Sequence, residues 1–399
     1  MSEDCDVLVI GAGIHGAGVA QAAVAAGYDT LLLEQYAEAA RGTSSRSSKL
    51  IHGGLRYLEG AHFGLVYESL RERAILLRNA PDLVRLTPMH IPVYGNSRRS
   101  AGWIAAGLSL YALLGGLRSE NRFTRLAQDT WTELDELRLD DLQSVFRYHE
   151  AQTDDAALTR AVLASAQSLG AEVRYGAEVI SATLESNGGQ AEVRYTEDTK
   201  SVRFRVIVNA TGPWAPDILK RITPTQPIPA VDLVRGTHIV LPAPVTGAYY
   251  LESPRDGRAV FVLPWKQHTL VGTTEALYRD DPATVSAPQE DIDYLLETYA
   301  HYFPGRPASH GDISETFAGL RVLPKGPTLS ARSRETRFQL DRPRSPRLLT
   351  VLGGKLTTYR ATAERVMRQI RSSLPPTSSP ADTRAIQLAE PETDDQYGP

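Results

Sequence analysis

The chain has 399 residues, 42% of them hydrophobic, a length that suits two interleaved domains better than one small core. A single cysteine, Cys5, excludes an internal disulfide and a cysteine-ligated iron–sulfur cluster, and a formal net charge of -4 argues against non-specific nucleic-acid binding. The acidic start, Met1-Ser2-Glu3-Asp4, fits neither a signal peptide nor a transit peptide, so a cytoplasmic location is expected.

Asp6-Val7-Leu8-Val9-Ile10 is a short β-branched run of the kind buried in parallel sheets. Gly11-Ala12-Gly13-Ile14-His15-Gly16 follows directly and opens an Ala-rich helix that stops at Gly27, after which Thr30-Leu31-Leu32-Leu33-Glu34 supplies a second strand. A GxGxxG string alone is weak evidence. Strand, glycines, helix and an acidic residue roughly 20 positions on together mark a dinucleotide site. Gly11, Gly13 and Gly16 permit the turn and close pyrophosphate approach, the helix N-terminus stabilises negative charge, and Glu34 accepts from ribose hydroxyls. The alternative is an ordinary tight turn in an α/β sheet.

Residues 42–57 read GTSSRSSKLIHGGLRY, crowded with hydroxyls, paired glycines and fixed charge, and open no obvious helix. Hydroxyls donate to phosphate or ring oxygens, glycines let backbone approach a planar ring, and Arg56 with Tyr57 offers donors to an anion. A long dinucleotide would run on into this strip past the first phosphate turn.

Leu65, Val66, Leu70, Ala74 and Leu77 fall at helical spacing, and 81–94 turns irregular and strand-like. The uncharged stretch 100–117, flanked by Arg98, Arg99 and Arg118 and carrying Trp103, reads as a buried helix, an interfacial or quinone-channel helix, or a barely long enough transmembrane one. Asp154-Asp155 precedes a helix over 155–168 and suits capping. Strands are expected at 172–175, 191–195 and 206–208, the last delivering Asn209 and the Ala210-Thr211-Gly212 turn. β-rich runs at 237–241, 249–251, 259–263 and 269–271 precede a helix at 289–302. The Pro- and Ser-rich end, 373–399, reads as a flexible tail. No HExxH, Cys/His ligand spacing or GxSxG occurs, so no metal site and no serine nucleophile are indicated.

GAGIHGAG at 11–18, TSSRSSKLIHGGLRYLE at 43–59, VNATGPW at 208–214 and LGGKLTTYR at 352–360 occur in order and widely spaced. This combination resembles FAD-dependent glycerol-3-phosphate dehydrogenase from about residue 4 to about residue 370. The resemblance implies an α/β fold in which an FAD-binding, Rossmann-like domain of the D-amino-acid-oxidase type is interleaved with a β-sheet-containing substrate domain. The expected division is 1-88, 150-222 and 315-372 for the discontinuous FAD-binding domain, and 89-149 with 223-314 for the substrate domain. A short form is implied, ending where the family's helical C-terminal domain would begin.

The implied chemistry is oxidation of the secondary hydroxyl of sn-glycerol 3-phosphate to a ketone, with electrons passing through FAD to quinone and with peripheral contact on the cytoplasmic face of a membrane. Gly11, Gly13, Gly16, Glu34, Thr43, Ser44, Ser47, Ser48, Lys49, Leu50, Gly212, Gly354, Lys355, Leu356 and Thr357 are the candidate FAD residues. His238, in RGTH, matches a substrate-site histidine and could take the hydroxyl proton. A hydrogen-bonded strand histidine is its other reading, and the identity of the base stays open. Arg321, in GLRVLP, could orient the alkoxide, unless it is a solvated arginine. The dianionic phosphate calls for more than one cation, with Arg56, Arg334 and Lys355 as candidates and Tyr57 adding a hydroxyl. Arg334 lies in a charge run that also suits a solvated loop, and Lys355 could simply start a helix. Alternatives for the whole are a glycerol-3-phosphate oxidase using oxygen, another flavin hydroxy- or amino-acid oxidoreductase, and a non-catalytic flavin-binding scaffold. The oligomeric state is left open.

Overall fold

The computed structural model describes residues 3–196, 198–326, 332, 334–377 and 382–389. The strand Glu3–Ile10 lies between the parallel strands Thr30–Leu33 and Thr199–Asn209. Glu172–Arg174 extends the sheet beyond Thr30–Leu33, and Leu348–Leu352 pairs parallel to the end of Thr199–Asn209. Both faces of the first strand are covered. Val7 and Val9 enter a core with the helices α1 (Ile14–Ala25), α4 (Asp155–Ser168) and α7 (Tyr359–Ile370), whereas Leu8 and Ile10 enter one with Leu31, Leu33, Ile218 and Leu219. That two-sided burial explains why the strand reads as a continuous apolar run.

Helices α2 (Phe63–Asn79), α3 (Ala101–Leu114), α5 (Ala215–Lys220) and α6 (Gln289–Tyr302) complete the set of α-helices among the described residues. A second sheet is centred on Val231–Pro242, which pairs antiparallel with Glu315–Pro324 and His268–Gly272. It continues through Ala259–Trp265, Ala248–Glu252, Val84–Tyr94 and Leu142–Thr153. The sheets therefore exchange chain several times. Glu315–Pro324 belongs to the second sheet, so a boundary at 315 does not follow the strand pairing.

The strand expected at 191–195 is present as Gly188–Arg194, one leg of an antiparallel meander with Glu178–Glu185 and Thr199–Asn209. Two expectations need correction. The segment 100–117 is not a buried helix. Only Leu108, Tyr111 and Ala112 of α3 are buried, Trp103 and Leu113 are 62% and 59% exposed, and no helix among the described residues is long and apolar enough to cross a membrane. Part of the expected flexible tail is docked: Leu388 is buried and its amide donates to the Asn79 carbonyl at 2.7 Å, while the Arg384 carbonyl accepts from Asn79 Nδ2 at 2.8 Å. Residues 378–381 and 390–399 lie outside the described residues.

Candidate functional site

A cavity of about 380 Å³ runs from the C-terminal end of the first strand to the face of the second sheet. Its first stretch is built from backbone. Gly11 has φ +100°, and a Cβ there would lie 3.1 Å from the Ala210 carbonyl oxygen. At Gly16 a Cβ would lie 1.8 Å from the Gly11 carbonyl oxygen, so that glycine supports the turn from behind the cavity wall. Glu34 is buried and accepts from the Ala12 amide at 2.6 Å and the Tyr36 amide at 3.0 Å. Burial pushes its carboxyl above the usual range, and these amides oppose the shift.

The strip 42–50 is pinned at each step. Ser44 Oγ accepts from the Ile14 amide at 2.9 Å, at the start of α1, and Thr43 donates to the Leu320 carbonyl at 2.7 Å in the second sheet. Asp155 Oδ2 accepts from the Ser47 amide at 2.9 Å, while Asp154 caps α4 through the Ala156 and Ala157 amides. Ser47, Ser48 and Leu50 line the cavity. Lys49 does not: its φ is +59°, and its ammonium is turned inward to Asp155 Oδ1 at 2.5 Å and the Ser45 carbonyl at 2.6 Å. Its side chain thus faces Asp155 and not the cavity, and the burial of that charge is compensated by the carboxylate.

Opposite this strip, Gly212 and the turn after Leu348–Leu352 close the wall, with Gly353 and Gly354 at φ +71° and +106°. A Cβ on Gly354 would lie 2.2 Å from His15 Nε2, and His15 Nδ1 is buried without a hydrogen-bond partner among the described residues. Lys355, Leu356 and Thr357 line the cavity here. Glycine backbone open to the cavity, a helix N-terminus and an unpaired buried imidazole nitrogen fit a large polar dinucleotide.

The far end is strongly cationic. Arg56, Arg321, Arg334 and Lys355 all line it, together with Tyr57 and His52. Arg334 pairs with Glu275 Oε1 at 2.8 Å, and Lys355 Nζ lies 4.0 Å from the centre of the Tyr57 ring and 3.2 Å from Ser69 Oγ. Arg56 and Arg321 pair with no carboxylate among the described residues. Burial, with Arg334 adding to it, pulls the Arg321 guanidinium down to about 10. Gly236 makes this packing feasible, because a Cβ there would lie 2.5 Å from Thr273 Oγ1 and 2.8 Å from an Arg321 nitrogen. Such an excess of half-buried positive charge suits a dianion.

His238 departs from expectation. It is 1% exposed, stacks on Phe317 with ring centres 4.9 Å apart, shares a hydrogen bond with Ser48 Oγ at 2.9 Å, and is not in the cavity wall. Pairing of Val231–Pro242 with Glu315–Pro324 sets His238 opposite Phe317, which carries the ring into the sheet packing. Two histidines are in the wall instead, His15 beside the Gly354 turn and His52 at the cationic end, the latter held by a hydrogen bond from its amide to Thr357 Oγ1 at 3.1 Å. Burial, then Lys355 and Arg334, depress its ring to about 3, so the free site holds a neutral imidazole. Sequence reading placed His52 inside the ligand-touching strip without separating it from its neighbours. It missed His15, a position that the glycine fingerprint leaves free, and Thr273 with Glu275, whose signal was the polar run Thr273-Thr274-Glu275 after a strand. Among the described residues no group of His, Cys, Asp and Glu could hold a metal ion.

A family model described as FAD dependent oxidoreductase matches residues 6–368. Among curated proteins, the chain is 37% identical over 384 residues to D-erythritol 1-phosphate dehydrogenase of Brucella abortus, covering 94% of this chain and 75% of the relative. It is 36% identical over 381 residues to glycerol-3-phosphate dehydrogenase of Pseudomonas aeruginosa, covering 93% and 72%. Among solved structures, glycerol-3-phosphate dehydrogenase from Bacillus halodurans complexed with FAD superposes with a TM-score of 0.76 at 29% identity, covering 97% of this chain and 68% of that one.

Proposed function

The chain belongs to the FAD dependent oxidoreductase family, with FAD as its cofactor, and from that premise we propose that it oxidises the secondary hydroxyl of glycerol 3-phosphate to a ketone, giving dihydroxyacetone phosphate. The observation that carries this reading is the gathering of Arg56, Arg321, Arg334 and Lys355 at one end of the cavity, where Glu275 pairs with Arg334 and neither Arg56 nor Arg321 pairs with a carboxylate among the described residues. A hydroxy acid brings one carboxylate charge and an amino acid no net charge, whereas a phosphate dianion offsets two of these positive charges.

Gly11, Gly13, Glu34, Ser44, Gly212 and the backbone at Gly354 to Thr357 would hold FAD, which accepts the hydride when bound. Arg56, Arg334 and Lys355 bind the phosphate, and Tyr57 adds its hydroxyl. Arg321 orients the reacting oxygen. His52, and not His238, takes the hydroxyl proton: its ring is in the wall and is neutral in the free site. Arrival of the phosphate opposes the field of Lys355 and Arg334 and so shifts His52 toward greater basicity, while burial, the larger cause of its depression, continues to hold it down.

The 37% identity to an erythritol phosphate enzyme supports a second reading, a four-carbon polyol phosphate as substrate. For the acceptor we infer a quinone at a membrane surface. The exposed uncharged face of α3, with Trp103 and Leu113 outward, supports this, and Arg118 offers a basic edge, whereas Arg99 is already paired with Glu59 and Glu252. The test is reduction of an artificial dye by the holoenzyme with glycerol 3-phosphate, erythritol phosphate and glycerol in parallel. Turnover of either phosphate and none of glycerol is expected. Equal rates with glycerol would overturn the phosphate reading.

A further inference from the structure

Behind the loop that carries His52 and Arg56 lies a buried polar cluster to which the chemistry above gives no task. At its centre is Glu150, 2% exposed, on the strand Leu142–Thr153. Tyr111 of α3 donates its hydroxyl to Glu150 Oε1 at 2.5 Å. The Gly53 amide donates to both of them, to Tyr111 Oη at 3.0 Å and to Glu150 Oε2 at 3.2 Å. Arg73 of α2 closes the cluster, donating to Glu150 Oε2, to Asn121 Oδ1 and to the His149 carbonyl at 2.7 Å. Gly53 is seated tightly: a Cβ on it would lie 2.3 Å from Tyr111 Oη and 2.7 Å from Leu70 Cδ2.

What the cluster holds is the backbone joining His52 to the turn Leu55–Leu58 that presents Arg56 and Tyr57. It also spans a partition. Glu150 lines the same cavity as His52 and Arg56, whereas Arg73 and Asn121 line a groove of about 490 Å³ between α2 and α3. The seating of a surface helix is thus tied, through one hydroxyl and one carboxylate, to the loop that meets substrate.

We propose that Tyr111 and Glu150 are positioning residues that set the Gly53 backbone, and through it Arg56 on the turn that follows, against the phosphate of the substrate. The proposal rests on the phosphate reading of Arg56 given above. A charge-assisted hydrogen bond to a buried carboxylate resists displacement, and a small error in the position of a binding group costs catalysis steeply.

The test compares holoenzyme carrying Tyr111→Phe, Glu150→Gln or Ser109→Ala, the last on the exposed side of the same helix. Inorganic phosphate is titrated by its perturbation of the flavin absorbance, alongside KM and kcat for glycerol 3-phosphate, FAD content and Tm. For Tyr111→Phe, phosphate Kd and KM should rise together by roughly 3- to 10-fold with FAD content and kcat little changed, as expected for one lost buried hydrogen bond. Glu150→Gln should move the same two constants in the same direction, and Ser109→Ala should move neither. Combined with Arg56→Lys, the Tyr111→Phe effect should be less than multiplicative, because both act at one contact. Unchanged phosphate Kd in Tyr111→Phe with only Tm lowered overturns the proposal, as do fully multiplicative effects. Wild-type enzyme that binds phosphate but does not oxidise glycerol 3-phosphate would refute the substrate reading, and the phosphate constants alone would then decide this one.

Discussion

Lys49 Nζ lies 2.5 Å from Asp155 Oδ1, and the two side chains are 6% and 0% exposed. This ion pair joins the cofactor strip to the first turn of α4. Removing one partner leaves the other charge buried and unpaired, so Lys49→Met should destabilise the fold by roughly 3–5 kcal/mol. Lys49→Met combined with Asp155→Leu should recover much of that loss. Denaturant unfolding of the holoenzyme measures both, and a single variant within about 1 kcal/mol of wild type would show that the pair is not holding the strip.

Gly16→Ala should yield protein without bound FAD. The added methyl meets the Gly11 carbonyl oxygen at 1.8 Å, and relief requires opening the turn that forms the start of the cavity. Absorbance of purified protein near the flavin bands checks this, and a yellow protein of normal stoichiometry would contradict it.

Arg56→Ala should raise KM for a phosphorylated substrate strongly and leave FAD content unchanged, since one lost charge-assisted contact to a buried phosphate costs roughly 1.5–3 kcal/mol. Inorganic phosphate, titrated as a competitive inhibitor, serves as the control. If its inhibition constant is unchanged in the variant, Arg56 does not read the phosphate.

Buried histidines set a pH dependence with a definite sign. The rings of His15 and His52 are depressed to about 4 and about 3, and burial holds His238 well below its usual value, whereas each titrates near about 6.5 when unfolded. The unfolded chain therefore binds more protons below that point. Stability from these groups is intact above about pH 6.5 and falls as pH drops toward 4, by at most roughly 1.4 kcal/mol per pH unit for each histidine. His52→Gln should flatten the slope. In turnover, kcat/KM should show no His52 ionisation near pH 6.5, and the acidic limb of kcat should lie at higher pH than that of kcat/KM because bound phosphate offsets the cations.

Reoxidation of substrate-reduced enzyme should be faster with a short-chain quinone than with air, and Trp103→Ala should weaken association with anionic vesicles while sparing turnover with a soluble dye. Stopped-flow mixing separates the acceptors. Rapid reoxidation by air with no response to quinone would make the protein an oxidase.

The sequence by itself determined the dinucleotide end, because that end is made of short-range backbone chemistry. Gly11, Gly13, Gly16 and Glu34 sit in one contiguous βαβ unit, and two-sided burial leaves its mark as an apolar run beside the glycines. The charge of the substrate end was also legible, since Arg56, Arg321, Arg334 and Lys355 each stood in a recognisable string. Only tertiary structure decided which groups of like chemistry face the cavity. His52 and His238 each stand between an isoleucine and a smaller residue, but antiparallel pairing puts His238 against Phe317 and Ser48, and the Thr357 contact holds His52 in the wall. Lys49 and Lys355 divide in the same way, because Asp155 arrives from more than a hundred residues downstream to bury one ammonium while Lys355 stays at the cavity. Side-chain direction at such positions depends on partners brought together by long-range packing, and periodicity along the chain carries no record of them.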